Sequence, residues 1–137
     1  MKKSTKFIIA LLVTVGALAI TYRVVNQAPS KDLAADAQMQ EIITSGGCLQ
    51  CHSGSPDLPF YANWPVASGM VQKDVTQGYR AFDMTEMAEA LKAGKPVGKV
   101  ALAKVEKVIM DGTMPKHAYY MVHWGSSVTD AKKEMAM

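Results

Sequence analysis

The sequence predicts an all-α protein, a small helical domain behind a single N-terminal apolar helix. Three observations carry this prediction. Apolar residues recur at helical spacing in segments bounded by capping residues and glycines. Alternating strand patterns are scarce. The first segment, Phe7 to Thr21, is uncharged and almost wholly apolar.

That segment follows Lys2, Lys3 and Lys6, a basic stretch that stays in the cytoplasm and sends the remaining chain outward. Ala17-Leu18-Ala19 offers a small-x-small cleavage site, but the apolar run resumes as Ile20, Tyr22, Val24 and Val25, interrupted by Arg23. From Phe7 to Val25 the run gives about 28 Å of helix, enough to span a bilayer with Tyr22 and Arg23 at the outer interface. Residues 1–25 are therefore expected to form an uncleaved signal anchor, a single pass through a bacterial inner membrane with the rest of the chain in the periplasm. Residues 26–30, Asn-Gln-Ala-Pro-Ser, have the composition of a short polar linker, and 31–137 are expected to form one domain.

The formal charge of +3 is a topology signal. Beyond the anchor the chain carries 11 basic and 12 acidic side chains, which gives no electrostatic footing for nucleic acid.

Within the domain, Ser30 is positioned to cap a helix from about Lys31 to Ser45, ended by Gly46-Gly47, with Ala35, Met39 and Ile42 on one face and Leu33 and Ile43 nearby. Asp83-Met84-Thr85-Glu86 is a capping-box variant, and Phe82 and Met87 occupy hydrophobic-staple positions. That helix should stop near Ala93, before Gly94 and Pro96. A third helix fits Lys99 to Asp111, with Leu102, Val105 and Ile109 on one face and Gly112 closing it. A short last helix should begin near Thr129, capped by Ser126 or Ser127, and reach Met137. Between His52 and Phe82 the density of Pro, Gly and aromatic residues predicts a long loop. It either wraps a cofactor edge or forms a satellite cluster with a short helix near Ser68 to Gln77.

The chemistry-bearing motif is Cys48-Leu49-Gln50-Cys51-His52, C-x-x-C-H, the attachment signature of a c-type haem. Each thiol can bond one porphyrin vinyl group, and His52 follows as proximal iron ligand. Cys48 and Cys51 are the only cysteines, so no thiol remains for a disulfide framework. Export agrees with the motif, because attachment takes place on the outer side of the membrane.

The best candidate for the second axial ligand is Met114, in Asp111-Gly112-Thr113-Met114-Pro115. A methionine just past a helix end, held by proline, can present its thioether without distorting a helix. His117 and His123 are the competitors, as bis-histidine partners or as propionate donors. Met84, Met87 and Met110 lie at helical positions that suit core packing. Arg80 and Lys73 are candidates to neutralise propionates, although solvated surface charge suits each better.

From Cys48 to Met135 these residues resemble the bacterial haem-binding domain that stands alone or precedes the di-haem part of three-haem cytochrome c peroxidases. The resemblance rests on the C-x-x-C-H, the Pro59-Phe60-Tyr61-Ala62-Asn63-Trp64-Pro65 segment, and Gln72-Lys73-Asp74-Val75 with Gly78-Tyr79-Arg80 leading to Phe82. Met114-Pro115, Tyr119 and His123-Trp124 complete it. It implies a class I-like cytochrome c fold with one covalent haem c, ligated by His52 and Met114. In the peroxidases a catalytic di-haem region follows; this sequence ends at Met137, as a stand-alone anchored cytochrome or as a fragment of a longer peroxidase.

The expected function is electron transfer from membrane quinol or a cytochrome donor to a peroxidase haem, in cis or in trans, with no catalytic residue in this chain. The alternative is a haem peroxidase or gas-sensing module with an open sixth iron position. A zinc site from Cys48, Cys51, His117 and His123 fits poorly, since it would leave His52 unexplained. A thiol–disulfide oxidoreductase lacks its βαβ surroundings.

Overall fold

The computed structural model describes residues 3–136, so Lys2 of the basic stretch and Met137 of the last helix lie outside the described residues. Eight α-helices and two 3₁₀ turns make up the described fold, with no strand among them. The protein is all-α, as its periodicity predicts.

Helix α1 runs Lys3–Val25, one turn longer at its start than the apolar run alone. Its 23 residues give about 35 Å of helix, and by length and composition it can cross a membrane. None of its side chains is buried by the protein.

Helix α2 is Ala35–Ser45, four residues shorter at its start than the sequence suggests. Ser30 explains the difference. Its hydroxyl accepts from the Asp32 backbone N–H at 3.2 Å, closing a local turn that competes with a helix over residues 31–34. Met39, Ile42 and Ile43 are buried, whereas Leu33 and Ala35 stay exposed. Gly47 then turns the chain with φ +67°, a left-handed conformation suited to glycine, into the single-turn α3, Leu49–His52.

The proline-rich stretch holds a 3₁₀ turn, Phe60–Asn63, and then α4, Ser68–Ala81, four residues longer than predicted. Helix α5 is Thr85–Lys92, and α6 is Lys99–Met110. Met84 is the N-cap of α5, and Asp83, one residue earlier, accepts from the Thr85 backbone N–H at 2.9 Å. This bond to Thr85 holds the Asp83 carboxyl below the usual carboxylate range. Gly94 and Gly112 close α5 and α6 with positive φ.

The short α7, His117–Val122, and a 3₁₀ turn, Trp124–Ser126, were not expected. Helix α8, Asp130–Ala136, is capped by Thr129, whose hydroxyl accepts from the Lys132 N–H. Ser126 and Ser127, expected as caps, are instead buried between α8 and the end of α1.

Helix α2 packs against both α5 and α8, and α6 also meets α8. Their shared core holds Met39, Ile42, Ile43, Met84, Met87, Leu91, Val105 and Ile109. Met84 and Met87 thus pack as expected, but Met110 is 47% exposed and takes no part. Helix α4 lies across α3, and the core ends at an open cavity between these two layers.

Candidate functional site

The cavity measures about 420 Å³ and its wall is largely apolar, with Ile42, Ile43, Val105, Val108, Ile109 and Val128 on it. Cys48, Cys51 and His52 enter from α3, and Met114 and Pro115 from the segment after α6. Residues 62 positions apart in sequence thus line one space.

The α3 turn is locally determined. The Cys48 carbonyl accepts from the backbone N–H of Cys51 at 3.3 Å and of His52 at 3.0 Å. That single turn sets both thiols and the imidazole along one wall. The His52 ring is held from outside, with Nδ1 2.8 Å from the Phe82 carbonyl oxygen. A carbonyl oxygen only accepts, so Nδ1 carries the proton and Nε2 keeps the lone pair that a metal needs. The His52 carbonyl in turn accepts from the Met84 N–H at 2.7 Å. Phe82 and Met84 therefore fix both the ring and the backbone of His52.

Burial pushes the Cys48 thiol up to about 11, and burial likewise raises Cys51. Both remain protonated at neutral pH, unlike thiols built for nucleophilic or redox exchange, whose thiolates are stabilised. Tyr119 is pushed up to about 12, again by burial.

Met114 is half-buried on the wall, on a loop whose Thr113 N–H donates to the Val108 carbonyl at 3.1 Å. Neither His117 nor His123 lies on the wall. His117 is exposed and hydrogen-bonded to the Tyr120 hydroxyl. His123 has Nε2 2.7 Å from the Tyr61 hydroxyl and Nδ1 3.0 Å from the Tyr119 carbonyl oxygen, with its ring stacked on Tyr119. Both ring nitrogens are thereby engaged. Among the described residues no three His, Cys, Asp or Glu side chains gather into a metal-binding group, so the four zinc candidates are not brought together.

Some wall residues escaped the sequence reading. Met84 is one, assigned there to core packing alone. Tyr119 also lies on the wall and donates to Gln50 Oε1 at 2.7 Å, tying α7 to the C-x-x-C-H turn. Lys104, Lys107 and Lys116 border the opening, the last paired with Asp74 at 2.6 Å. Arg80 and Lys73 do not line it. The i, i+3 spacing of Lys104 and Lys107 on α6 was the available signal. Phe60, Tyr61, Trp64 and Tyr79 are absent from the wall as well. The first three form a separate edge-to-face cluster, which favours the satellite alternative for that stretch.

These residues fit a covalently held haem. The wall is apolar, two thiols and an imidazole share one turn, His52 has its lone pair free, and a thioether lines the same space.

Comparison with known proteins agrees on haem binding. Over 87 residues, 64% of this chain, it is 37% identical to the cytochrome c peroxidase Ccp of Escherichia coli (strain K12). Those residues correspond to 19% of that protein, so the chain spans a minor part of its relative's length. No solved structure matches. The family described as the haem-binding domain matches residues 7–137, nearly the whole sequence, and the chain belongs to that family.

Proposed function

We propose that this chain is a membrane-anchored, mono-haem c-type cytochrome domain that carries electrons. The observation supporting it is the convergence of Cys48, Cys51, His52 and Met114 on one apolar cavity. In this reading Cys48 and Cys51 would hold the haem through their sulfurs, and His52 and Met114 would offer its iron a nitrogen and a sulfur donor. Bound there, haem supplies a one-electron ferric–ferrous couple.

The residues set how that couple behaves. With His52 and Met114 both donating to the iron, no position would be left on it for peroxide. Met114 sulfur would favour a ferrous iron, and the apolar wall would disfavour extra ferric charge, so both would raise the potential. The Phe82 carbonyl fixes the His52 tautomer and ring orientation.

Helix α1 supports an inner-membrane anchor with the haem domain on the periplasmic side. Electrons would enter from quinol or a cytochrome donor, one at a time. Similarity to a cytochrome c peroxidase supports a di-haem peroxidase domain or protein as acceptor.

Met114→Ala tests the ligand assignment. The oxidised haem should become high-spin and lose its methionine charge-transfer band, and the midpoint potential should fall. An unchanged spectrum and potential would sink the assignment. Because Met84 lines the same cavity, Met84→Leu is the companion variant. If it produced the spectral change and Met114→Ala did not, the sixth ligand would be Met84.

A further inference from the structure

The domain meets the outer end of α1 through a defined contact. Asn26, directly after α1, is 3% exposed. Its Nδ2 donates to the Trp124 carbonyl at 2.5 Å, and its Oδ1 accepts from the Ser127 N–H at 3.0 Å. Tyr22, one turn earlier, donates to Ser127 Oγ at 2.9 Å and packs edge-to-face on Trp124. Trp124 therefore sits at the level of the last turn of the apolar helix.

From Trp124 an apolar face continues over the domain. Met121 and Val122 on α7 precede it, both exposed. His123, its neighbour, is bonded to Tyr61, which stacks edge-to-face with Phe60; Phe60 packs likewise on Trp64. Phe60 is 82% exposed, and Trp64 is exposed too. The two segments that build this face, 58–72 and 117–129, contain no Asp, Glu, Lys or Arg. Large exposed aromatics without charge are unusual on a water-facing surface and typical of the headgroup layer, where Trp and Tyr concentrate.

We infer that this aromatic face, built by Phe60, Trp64, Met121, Val122 and Trp124, is a second membrane contact that lays the haem domain against the outer leaflet. The inference rests on the reading of α1 as an anchor. Its continuity with the end of that helix names lipid, rather than a protein partner, as the occupant. Side chains at such a footing sink about 5–10 Å into the headgroup and acyl boundary. The footing would hold the domain in one orientation, within reach of a lipid-soluble donor.

The chain's only two tryptophans, Trp64 and Trp124, report on it directly. The full haem-loaded chain is placed in nanodiscs of phosphatidylcholine and phosphatidylglycerol, with and without brominated acyl chains. Haem quenching is common to both lipid sets and cancels in their ratio. In the Trp124→Phe protein, Trp64 should be blue-shifted relative to detergent and quenched by bromine as strongly as Trp124 is in the Trp64→Phe protein. Quenched Trp124 beside unquenched, water-like Trp64 overturns the footing and leaves the anchor intact. A chain that fails to co-elute with nanodiscs overturns the anchor and the footing together. Should either variant not fold, the unaltered chain decides: loss of most of its emission in brominated discs supports the footing, and loss of a minor part overturns it.

Discussion

At the scale of single residues, the site depends on small groups that hold larger ones in place. Gly47 is the clearest case. Its φ of +67° disfavours any side chain, and a Cβ there would overlap the Tyr119 hydroxyl. That hydroxyl donates to Gln50, inside the C-x-x-C-H turn, so Gly47, Tyr119 and Gln50 form one packed unit. Gly47→Ala should destabilise the domain by about 1–3 kcal/mol, from backbone strain plus the clash. Urea unfolding of Gly47→Ala, Tyr119→Phe and the double variant separates the two parts. Removing the hydroxyl should recover some of the loss, giving a non-zero coupling energy. Additive effects would show that the overlap with Tyr119 does not matter. The pentapeptide forms a local turn, and Cys48, Cys51 and His52 all lie on the cavity wall. The Phe82 carbonyl that fixes His52 was invisible, because a backbone acceptor leaves no compositional trace.

At the scale of elements, the glycine-closed ends of α5 and α6 were legible, whereas the start of α2, the end of α4 and the tertiary packing were not. Gly94 and Gly112 carry the positive φ that their positions require, and Asp83 accepts from the first N–H of α5 although Met84 is the N-cap. Both depend on a few adjacent residues. Helix α4 extends four residues beyond its expected end despite Gly78 near its C-terminus, a residue that weakens an isolated helix. The compensation is non-local. Gly78 is buried against α3, and a Cβ on it would lie 2.5 Å from the Cys51 backbone oxygen. Helix α4 is therefore fixed by close approach to the haem-motif turn, which no periodicity encodes. The opposing atom is backbone and cannot rotate away. Gly78→Ala should accordingly cost about 1–3 kcal/mol even though alanine is the better helix former. Chemical denaturation measures this, and a haem stain of the exported protein should show reduced incorporation. A stabilised Gly78→Ala protein would mean that α4 does not press on α3 through this residue.

At the scale of the whole molecule, the segments near both ends of the chain meet. Residues 26–30 have a linker's composition, yet Asn26 is buried and bonded to the segment before α8. The centre of that junction is Lys132, 1% exposed, whose ammonium donates to the Ser127 carbonyl at 3.1 Å and reaches Ser45 Oγ at 3.4 Å. A lysine on a short terminal helix reads as surface charge; only the packing of α8 on α2 makes it interior. Burial lowers its pKa from 10.5, an effect Glu41 partly opposes. Between the lowered value and 10.5 the unfolded chain binds more protons than the folded one, so stability should rise with pH through that window. The cost of enclosing the cation is fully present below the lowered value. Tyr119 acts in the opposite sense at higher pH. Its unfolded value is 10.0 and its folded value about 12, so the stability it contributes is complete below 10 and is lost as pH climbs toward 12. In the haem-loaded chain, where neither Cys48 nor Cys51 would titrate, the urea midpoint should therefore increase through the Lys132 window toward about 10 and decline above it. Lys132→Met keeps the apolar volume and removes the titration. It should abolish the rising limb, while the decline above pH 10 stays as in the parent. Subtracting the two profiles cancels every other ionisation. A flat difference would show that the Lys132 ammonium is hydrated in the folded state, and that the junction between α2, α8 and the end of α1 is open to water.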